Sequence, residues 1–198
     1  MVPSNSTLSP DHGRLLVQLA RQTLMAHFGL SLPRDQTVAL HDGLKDDAFQ
    51  TVCGVFVTLK LAGQLRGCIG TLEGQEPLAS GVATQAVNAA FHDPRFSALK
   101  PKELDRVSIE VSVLTRPQSL AYTDADDLVV KLRPYIDGVT ISLDYAGATF
   151  LPQVWKQLPR PDDFLSHLCM KAGLDRDAWR KGKLHVETYQ VQYFEEPM

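Results

Sequence analysis

The chain has 198 residues, of which 44% are hydrophobic and 22% charged, and its formal net charge at pH 7 is -3. This length supports one well-packed domain or two lobes that share a core, and the composition excludes wholesale disorder. The acidic balance argues against nucleic-acid binding, which normally requires Lys and Arg gathered on one face. No apolar run approaches the length of a membrane span and no signal-peptide pattern begins the chain, so we expect a cytoplasmic protein without membrane contacts.

The cysteines and the familiar motifs restrict the chemistry. The chain has three cysteines, Cys53, Cys68 and Cys169, and no CxxC pair. Neither a disulfide framework nor a zinc knuckle is therefore indicated, and free thiols are expected. The sequence lacks the phosphate-loop motifs GxGxxG and GxxxxGK[ST] and the catalytic motifs HExxH and GxSxG. It therefore predicts no metal site, and the cofactor stays unknown.

The first part of the chain predicts a helix, a loop and a hairpin. Ser9 is a capping residue before a helix whose apolar positions recur until Gly29, and residues 1–10 are expected to form a flexible tail. The polar stretch of residues 30–50 is interpreted as a surface loop. Two β-rich runs then meet around Ala62-Gly63-Gln64, which predicts a hairpin whose second strand contains the string LRGCIG.

The register of this hairpin is left open by the sequence. Strand alternation predicts that Arg66 and Cys68 share a face. A two-residue turn sets Cys68 across from the row of Val55, Val57 and Leu59, whereas a three-residue turn pairs it with Thr58 and Lys60.

The rest of the chain alternates helices and strands without a regular strand-helix-strand rhythm. A strand is predicted over residues 106–114, with Glu110 on the face opposite its valines and isoleucine. The other predicted elements are a helix over residues 77–90, a loop over 91–99, a helix over 124–132, a hairpin over 138–150, a helix ending at Gly173 and a final strand over 184–196. This order predicts an α+β fold with a mostly antiparallel sheet flanked by helices.

Cys68 is the first candidate for chemistry. A cysteine nucleophile needs a stabilised thiolate or a nearby base, and Arg66, His92, Asp93 or Glu110 could supply these. The alternative is that Cys68 is a small buried residue that only fills space. Glycine is unfavourable inside a strand, so Gly67 and Gly70 predict a bulge or the close approach of another group.

Two further places carry candidate binding residues. Asp93-Pro94-Arg95 is either a turn with an internal ion pair or, with Phe96, a place for an anionic or planar ligand. The LPQVW segment predicts the beginning of another helix, in which Trp155 is a core residue and Gln153 a polar lining residue.

Block after block, the sequence resembles the AMMECR domain family, whose prokaryotic members are called AmmeMemoRadiSam system protein A. The similar blocks run from about Val52 to the last strand, and the string LRGCIG is highly specific to the family. They are LRGCIGTLEG, AAFHDPRFSAL, IEVSVLTRP, TFLPQVWKQLP and FLSHLCMKAGL. One departure is the segment Asp144 to Ala148, where members often carry a basic, glycine-rich turn.

The resemblance implies a single α+β domain over residues 1–198, built of two intertwined lobes that share a cleft. It also implies an association with Memo-like and radical-SAM proteins, and it implies no established reaction. The family signature falls on Arg66, Gly67, Cys68, Ile69, Gly70, Asp93, Arg95, Phe96, Glu110, Gln153, Trp155, Cys169 and Lys171.

Two hypotheses for function follow. The first is an enzyme or small-molecule binder with Cys68, Arg66 and Glu110 as catalytic residues. Its binding residues are Gly67, Gly70, His92, Asp93, Arg95, Phe96, Gln153 and Trp155. The second is a noncatalytic scaffold subunit that docks onto a Memo-like or radical-SAM partner. The oligomeric state is not predicted.

Overall fold

A computed structural model describes residues 7–196, which form two compact units. The first unit contains the described residues up to Leu114 and those from Gln192 onward, and the second contains Thr115–Val191. Each unit has its own four-stranded sheet and its own hydrophobic core. The mixed helical and antiparallel architecture confirms the predicted α+β class.

The described residues form five α-helices and eight β-strands. In chain order these are α1 (Pro10–His27), α2 (Arg34–Gly43), β1 (Val55–Leu61), β2 (Gln64–Thr71), α3 (Leu78–Phe91), β3 (Val107–Leu114), β4 (Gln118–Ser119), α4 (Ala125–Lys131), β5 (Gly138–Leu143), β6 (Ala146–Phe150), α5 (Pro161–Lys171), β7 (His185–Tyr189) and β8 (Val191–Glu195). Short 3-10 helices span Asp47–Gln50, Pro101–Glu103, Pro152–Lys156 and Ala178–Lys181.

The start of α1 follows the predicted capping pattern. The Ser9 hydroxyl accepts a hydrogen bond from the backbone N–H of His12 at 3.2 Å, which satisfies a donor that the first turn leaves free. Residues 1–6 of the predicted tail lie outside the described residues. Just before the cap, Leu8 is buried, and its backbone N–H and C=O both bond to the Gln192 side chain.

Two local predictions are wrong. Residues 30–50 are not one loop, since they contain α2 and a 3-10 helix; α2 buries only Leu40, so its apolar periodicity is too weak to recognise. The predicted last strand is two strands in different sheets, β7 and β8. Between them, the N–H of Gln190 bonds to the Thr115 hydroxyl at 2.8 Å instead of continuing a ladder.

The first unit places its candidate residues on a sheet of order β2-β1-β3-β8. The inner face of β3 carries the predicted apolar row, which is buried and faces α1. Its members are Val107, Ile109, Val111 and Val113. Glu110 lies on the opposite, outer face, as predicted, because side chains alternate along a strand.

The second unit has the sheet order β4-β7-β5-β6. Its core contains Trp155, Phe164 and Trp179, all nearly inaccessible to solvent. The rings of Trp155 and Phe164 stack with centroids 3.7 Å apart, and the Trp155 indole N–H donates to the Asp137 carbonyl at 2.7 Å. No helix among the described residues has the length and apolarity to cross a membrane.

Gly67 allows α3 to lie directly against β2. A Cβ at this position would overlap the backbone carbonyl oxygen of Ala89. We therefore expect Gly67→Ala to lower the free energy of unfolding by about 3 kcal/mol, because backbone on both sides must shift. Urea unfolding curves measure the effect.

Gly147→Ala is the matched control for this prediction. Gly147 also lies in a strand, but a Cβ there would come no closer than 3.3 Å to a neighbouring atom. A Gly67→Ala protein as stable as the Gly147→Ala protein would show that the close approach of α3 contributes nothing.

Candidate functional site

The hairpin that carries LRGCIG has a two-residue turn and a bulge. Ala62 and Gly63 both have positive φ, which suits the tightest hairpin turns. Leu65 pairs with Lys60 and Gly67 pairs with Leu59, so Arg66 is the extra residue of the bulge. The bulge resets the register and places Cys68 opposite Thr58.

The outer face of this sheet holds Cys68 in a polar row. Its thiol is half-buried and accepts a hydrogen bond from the Thr58 hydroxyl at 3.3 Å. On the other side of β1, Thr58 lies opposite Glu110 of β3 in the strand register. Cys68, Thr58 and Glu110 thus lie side by side on three adjacent strands.

Glu110 is held by a lysine that sequence reasoning had not assigned to it. The Lys60 ammonium lies 2.8 Å from a Glu110 carboxylate oxygen and 2.9 Å from Glu195. The hydrogen bonds that the Lys60 ammonium donates to these two carboxylates raise the pKa of Lys60 above its ordinary value. Burial, with the nearby charge of Glu110, raises the pKa of Tyr193 to about 12. The Glu110 carboxylate is therefore compensated by Lys60.

Arg66 is buried in an ion pair at the rim of the sheet. Its Nε and Nη2 lie 2.9 and 3.1 Å from the two Glu103 carboxylate oxygens, and Nη2 also bonds to the Ala98 carbonyl. This two-point contact lowers the pKa of Glu103 to about 2. The pair ties β2 to the 3-10 helix that contains Glu103.

The loop after α3 completes the site by binding the backbone of Cys68. One Asp93 carboxylate oxygen accepts the Cys68 N–H at 2.9 Å, and the Arg95 guanidinium donates to the Cys68 carbonyl at 3.1 Å. The side chains of Asp93 and Arg95 are themselves joined by two hydrogen bonds of 2.9 and 2.7 Å. The Asp93–Arg95 pair therefore occupies the hydrogen-bonding edge that β2, an edge strand, presents at Cys68.

The two members of this pair differ sharply in exposure. The Asp93 side chain is 1% exposed, whereas that of Arg95 is 55% exposed. Hydrogen bonds from Arg95 hold the pKa of Asp93 well below its usual range, and the contact with Asp93 raises the pKa of Arg95. Phe96 lies beside the guanidinium, 5.6 Å from ring centroid to Cζ. The sequence offered two alternatives for this loop, an internal ion pair and a place for a ligand. The geometry is compatible with both, because the ion pair forms and the guanidinium still presents a cationic surface.

The remaining predicted residues occupy different places. His92, exposed at the end of α3, contacts the Asn88 side chain at 3.1 Å. Gly70 makes room for the Phe56 ring on the outer face of the sheet. Gln153 and Trp155 belong to the second unit, where Gln153 is exposed and Trp155 is part of the core.

Cys53 and Cys169 differ from Cys68 in their surroundings. Burial raises the pKa of the Cys53 thiol to about 11 and also raises that of Cys169, which is fully buried in the second unit. Within residues 7–196, no group of three or more His, Cys, Asp or Glu side chains is placed to hold a metal ion.

Sequence reasoning missed the partners that fix the site. Thr58 and Lys60 were named only as a register alternative, and Glu103 was not considered. The segment Lys100 to Arg106 contains three basic residues in seven positions, a local signal visible in an otherwise acidic chain.

The Arg66–Glu103 pair predicts a pH-dependent contribution to stability. A carboxyl group whose pKa is lowered on folding stabilises the folded state above its unfolded pKa and loses that effect as pH falls. Glu103→Gln should therefore lower the free energy of unfolding at pH 7 by on the order of 3 kcal/mol. The gap to the parent protein should close between about pH 4.5 and 2. Urea unfolding at several pH values measures it.

Glu73→Gln is the control for this experiment, because Glu73 is exposed on the same unit. The free energy of unfolding of this variant should equal that of the parent protein at every pH. A Glu103→Gln deficit that stays constant down to pH 2 would contradict an electrostatic origin.

Comparison with known proteins identifies the family. A family model described as AMMECR1 matches residues 17–194. A protein of Methanothermobacter thermautotrophicus is 40% identical, with 96% of each chain covered, and one of Thermofilum pendens is 38% identical, with 96% of this chain and 92% of its own covered. The crystal structure of an uncharacterized protein from Pyrococcus horikoshii is similar with a TM-score of 0.74 and 30% identity, covering 93% of this chain and 91% of its own. The chain therefore belongs to the AMMECR1 family.

Proposed function

We propose that this protein binds a small anionic molecule at Cys68 and acts on it through the thiol. The observation that carries the proposal is the Asp93–Arg95 pair, which clamps the Cys68 backbone and leaves a guanidinium 55% exposed beside it. A fixed cation next to a thiol is the arrangement that favours a reactive thiolate and that binds the negative group of a ligand.

The surroundings of Cys68 support a role beyond packing. A cysteine that only fills space is normally enclosed by apolar groups. Cys68 is half-buried, accepts a hydrogen bond from Thr58 and lies on the outer face of the sheet, away from the core formed with α1 and α3. Burial raises the pKa values of the two other thiols, which favours their protonated, less reactive form.

The other predicted residues take supporting roles in this proposal. Gly67 and Gly70 let backbone and ring approach β2 closely, which fixes the thiol in place. Glu110, paired with Lys60, is a proton acceptor or hydrogen-bond anchor near the row of Thr58 and Cys68. Arg66 braces the strand through Glu103. The proposal gives the direct ligand contacts to Cys68 and Arg95, with Phe96 as a flat apolar neighbour.

Selective alkylation of the folded protein tests the reactivity of the thiol. At pH 7.5, a value chosen to lie about one unit below the ordinary thiol pKa, iodoacetamide should modify Cys68 at least roughly tenfold faster than Cys53 or Cys169. The reason is that burial disfavours the thiolate form of the two controls. Peptide mass spectrometry over time gives the three rates from one sample. Labelling of Cys68 only upon unfolding would overturn the proposal.

Protection from alkylation tests ligand binding. The small-molecule fraction of the native cell extract should slow labelling of Cys68 in the parent protein and fail to do so in Arg95→Gln. Cys53→Ser is the matched control variant and should remain protected at Cys68. A fraction that protects the parent and Arg95→Gln equally would remove Arg95 from the proposed site.

The alternative is a docking surface for a Memo-like or radical-SAM protein, and the exposed Arg95 beside Phe96 is the observation that favours it. A docking role predicts that partner capture survives Cys68→Ala and is lost in Arg95→Ala. A ligand site for the thiol predicts that Cys68→Ser loses the small molecule while the fold stays intact. The two variants therefore separate the two functions.

A further inference from the structure

A second feature of the first unit is a basic cavity beside the Arg66–Glu103 pair. It has a volume of about 280 Å³, and four basic side chains line it against one acidic side chain. The basic residues are Arg66, Lys100, Lys102 and Arg106, and the acidic one is Glu103. Such a concentration is unusual in a chain whose net charge is -3. A cavity lined in this way attracts anions.

The Arg66 guanidinium has a hydrogen-bond donor group that no side chain or carbonyl of the described residues uses. Arg66 is 9% exposed, and its Nε and Nη2 are bound to Glu103 and Ala98. Its Nη1 is inaccessible to solvent and has no hydrogen-bond partner within residues 7–196. A buried donor without a partner costs free energy, so an oxygen that reached this atom from the cavity would be stabilised by it.

One short segment presents the other three cations. The 3-10 helix Pro101–Glu103 is held by a hydrogen bond from the Lys100 N–H to a Glu103 carboxylate oxygen at 2.9 Å. The Arg106 N–H bonds to the Glu103 carbonyl, also at 2.9 Å. Glu103 therefore fixes the backbone that carries Lys100, Lys102 and Arg106, while its carboxylate orients Arg66. The cations are placed by the fold.

We propose that this cavity binds the phosphoryl group of a small organic phosphate. The free Nη1 of Arg66 and the lysines supply the charge-assisted donors that phosphate oxygens accept. Leu61 and Phe96 add apolar walls, and the volume exceeds that of a phosphate alone, which leaves room for an organic part. The inference stands on Arg66 and its neighbours and does not require that Cys68 react.

Calorimetric titration with inorganic phosphate and with pyrophosphate tests this proposal at constant ionic strength. The parent protein should bind pyrophosphate saturably at one site. The double variant Lys102→Gln and Arg106→Gln should bind at least roughly tenfold more weakly, because both side chains are exposed at the rim and their loss removes two charges without opening the core. Arg66→Lys should also weaken binding, since lysine keeps the charge and loses the planar fork.

The matched control is the double variant Arg34→Gln and Lys183→Gln, which removes the same two charges from exposed positions that do not line the cavity. Its affinity should stay within about twofold of the parent, as should that of Cys68→Ser. Equal loss in the control variant would mean a nonspecific charge effect and would overturn the proposal. Absence of saturable binding to the parent would overturn it too, and the cavity would then hold only water. Retained binding in Cys68→Ser separates this site from the proposed thiol site.

Discussion

The interaction on which the candidate site depends is the ion pair between Asp93 and Arg95. The N–H and C=O of Cys68 point away from β1, and because β2 is an edge strand, no further strand lies there to bind them. The Asp93 carboxylate accepts the N–H, and the Arg95 guanidinium donates to the carbonyl. A nearly inaccessible carboxylate is costly without an opposite charge, and Arg95 provides that charge while keeping half of its own surface open. The same pair therefore closes the strand edge, fixes the loop and presents a cation next to the thiol.

The two glycines and the bulge of LRGCIG serve the same arrangement. Gly67 admits the Ala89 carbonyl of α3 on the inner side of the strand, and Gly70 admits the Phe56 ring on the outer side. Arg66 is the extra residue of the bulge, and its side chain pairs with Glu103 and lines the basic cavity. One six-residue string thus positions a thiol in a polar row and an arginine in a neighbouring cavity, so the two proposed sites share a single strand.

The sequence allowed much of the fold to be predicted, and the failures have physical reasons. The cap at Ser9 and the apolar face of β3 are local or periodic signals, so they could be recognised. The helix α2 buries one residue and follows Pro33 without a side-chain cap, so its polar sequence is like that of a loop. Gly67 and Gly70 predicted a bulge or a close approach, but they did not predict the register shift that places Cys68 opposite Thr58. The membership of Cys68, Asp93 and Arg95 in one site followed from the family resemblance, but their contacts required the fold. Lys60 and Glu103 were missed because ion pairs between distant segments leave no periodic signal.

The Asp93–Arg95 pair takes the place of a neighbouring strand at Cys68 by binding both of its backbone groups. Amide hydrogen exchange of the Cys68 N–H, followed by NMR in the parent protein and in Asp93→Ala, tests it most directly. We expect this edge amide to be protected in the parent as strongly as amides in the central strand β1, and we expect the variant to lose this protection while β1 retains its own. Exchange of the Cys68 amide in the parent at the rate of an unprotected amide would contradict the claim.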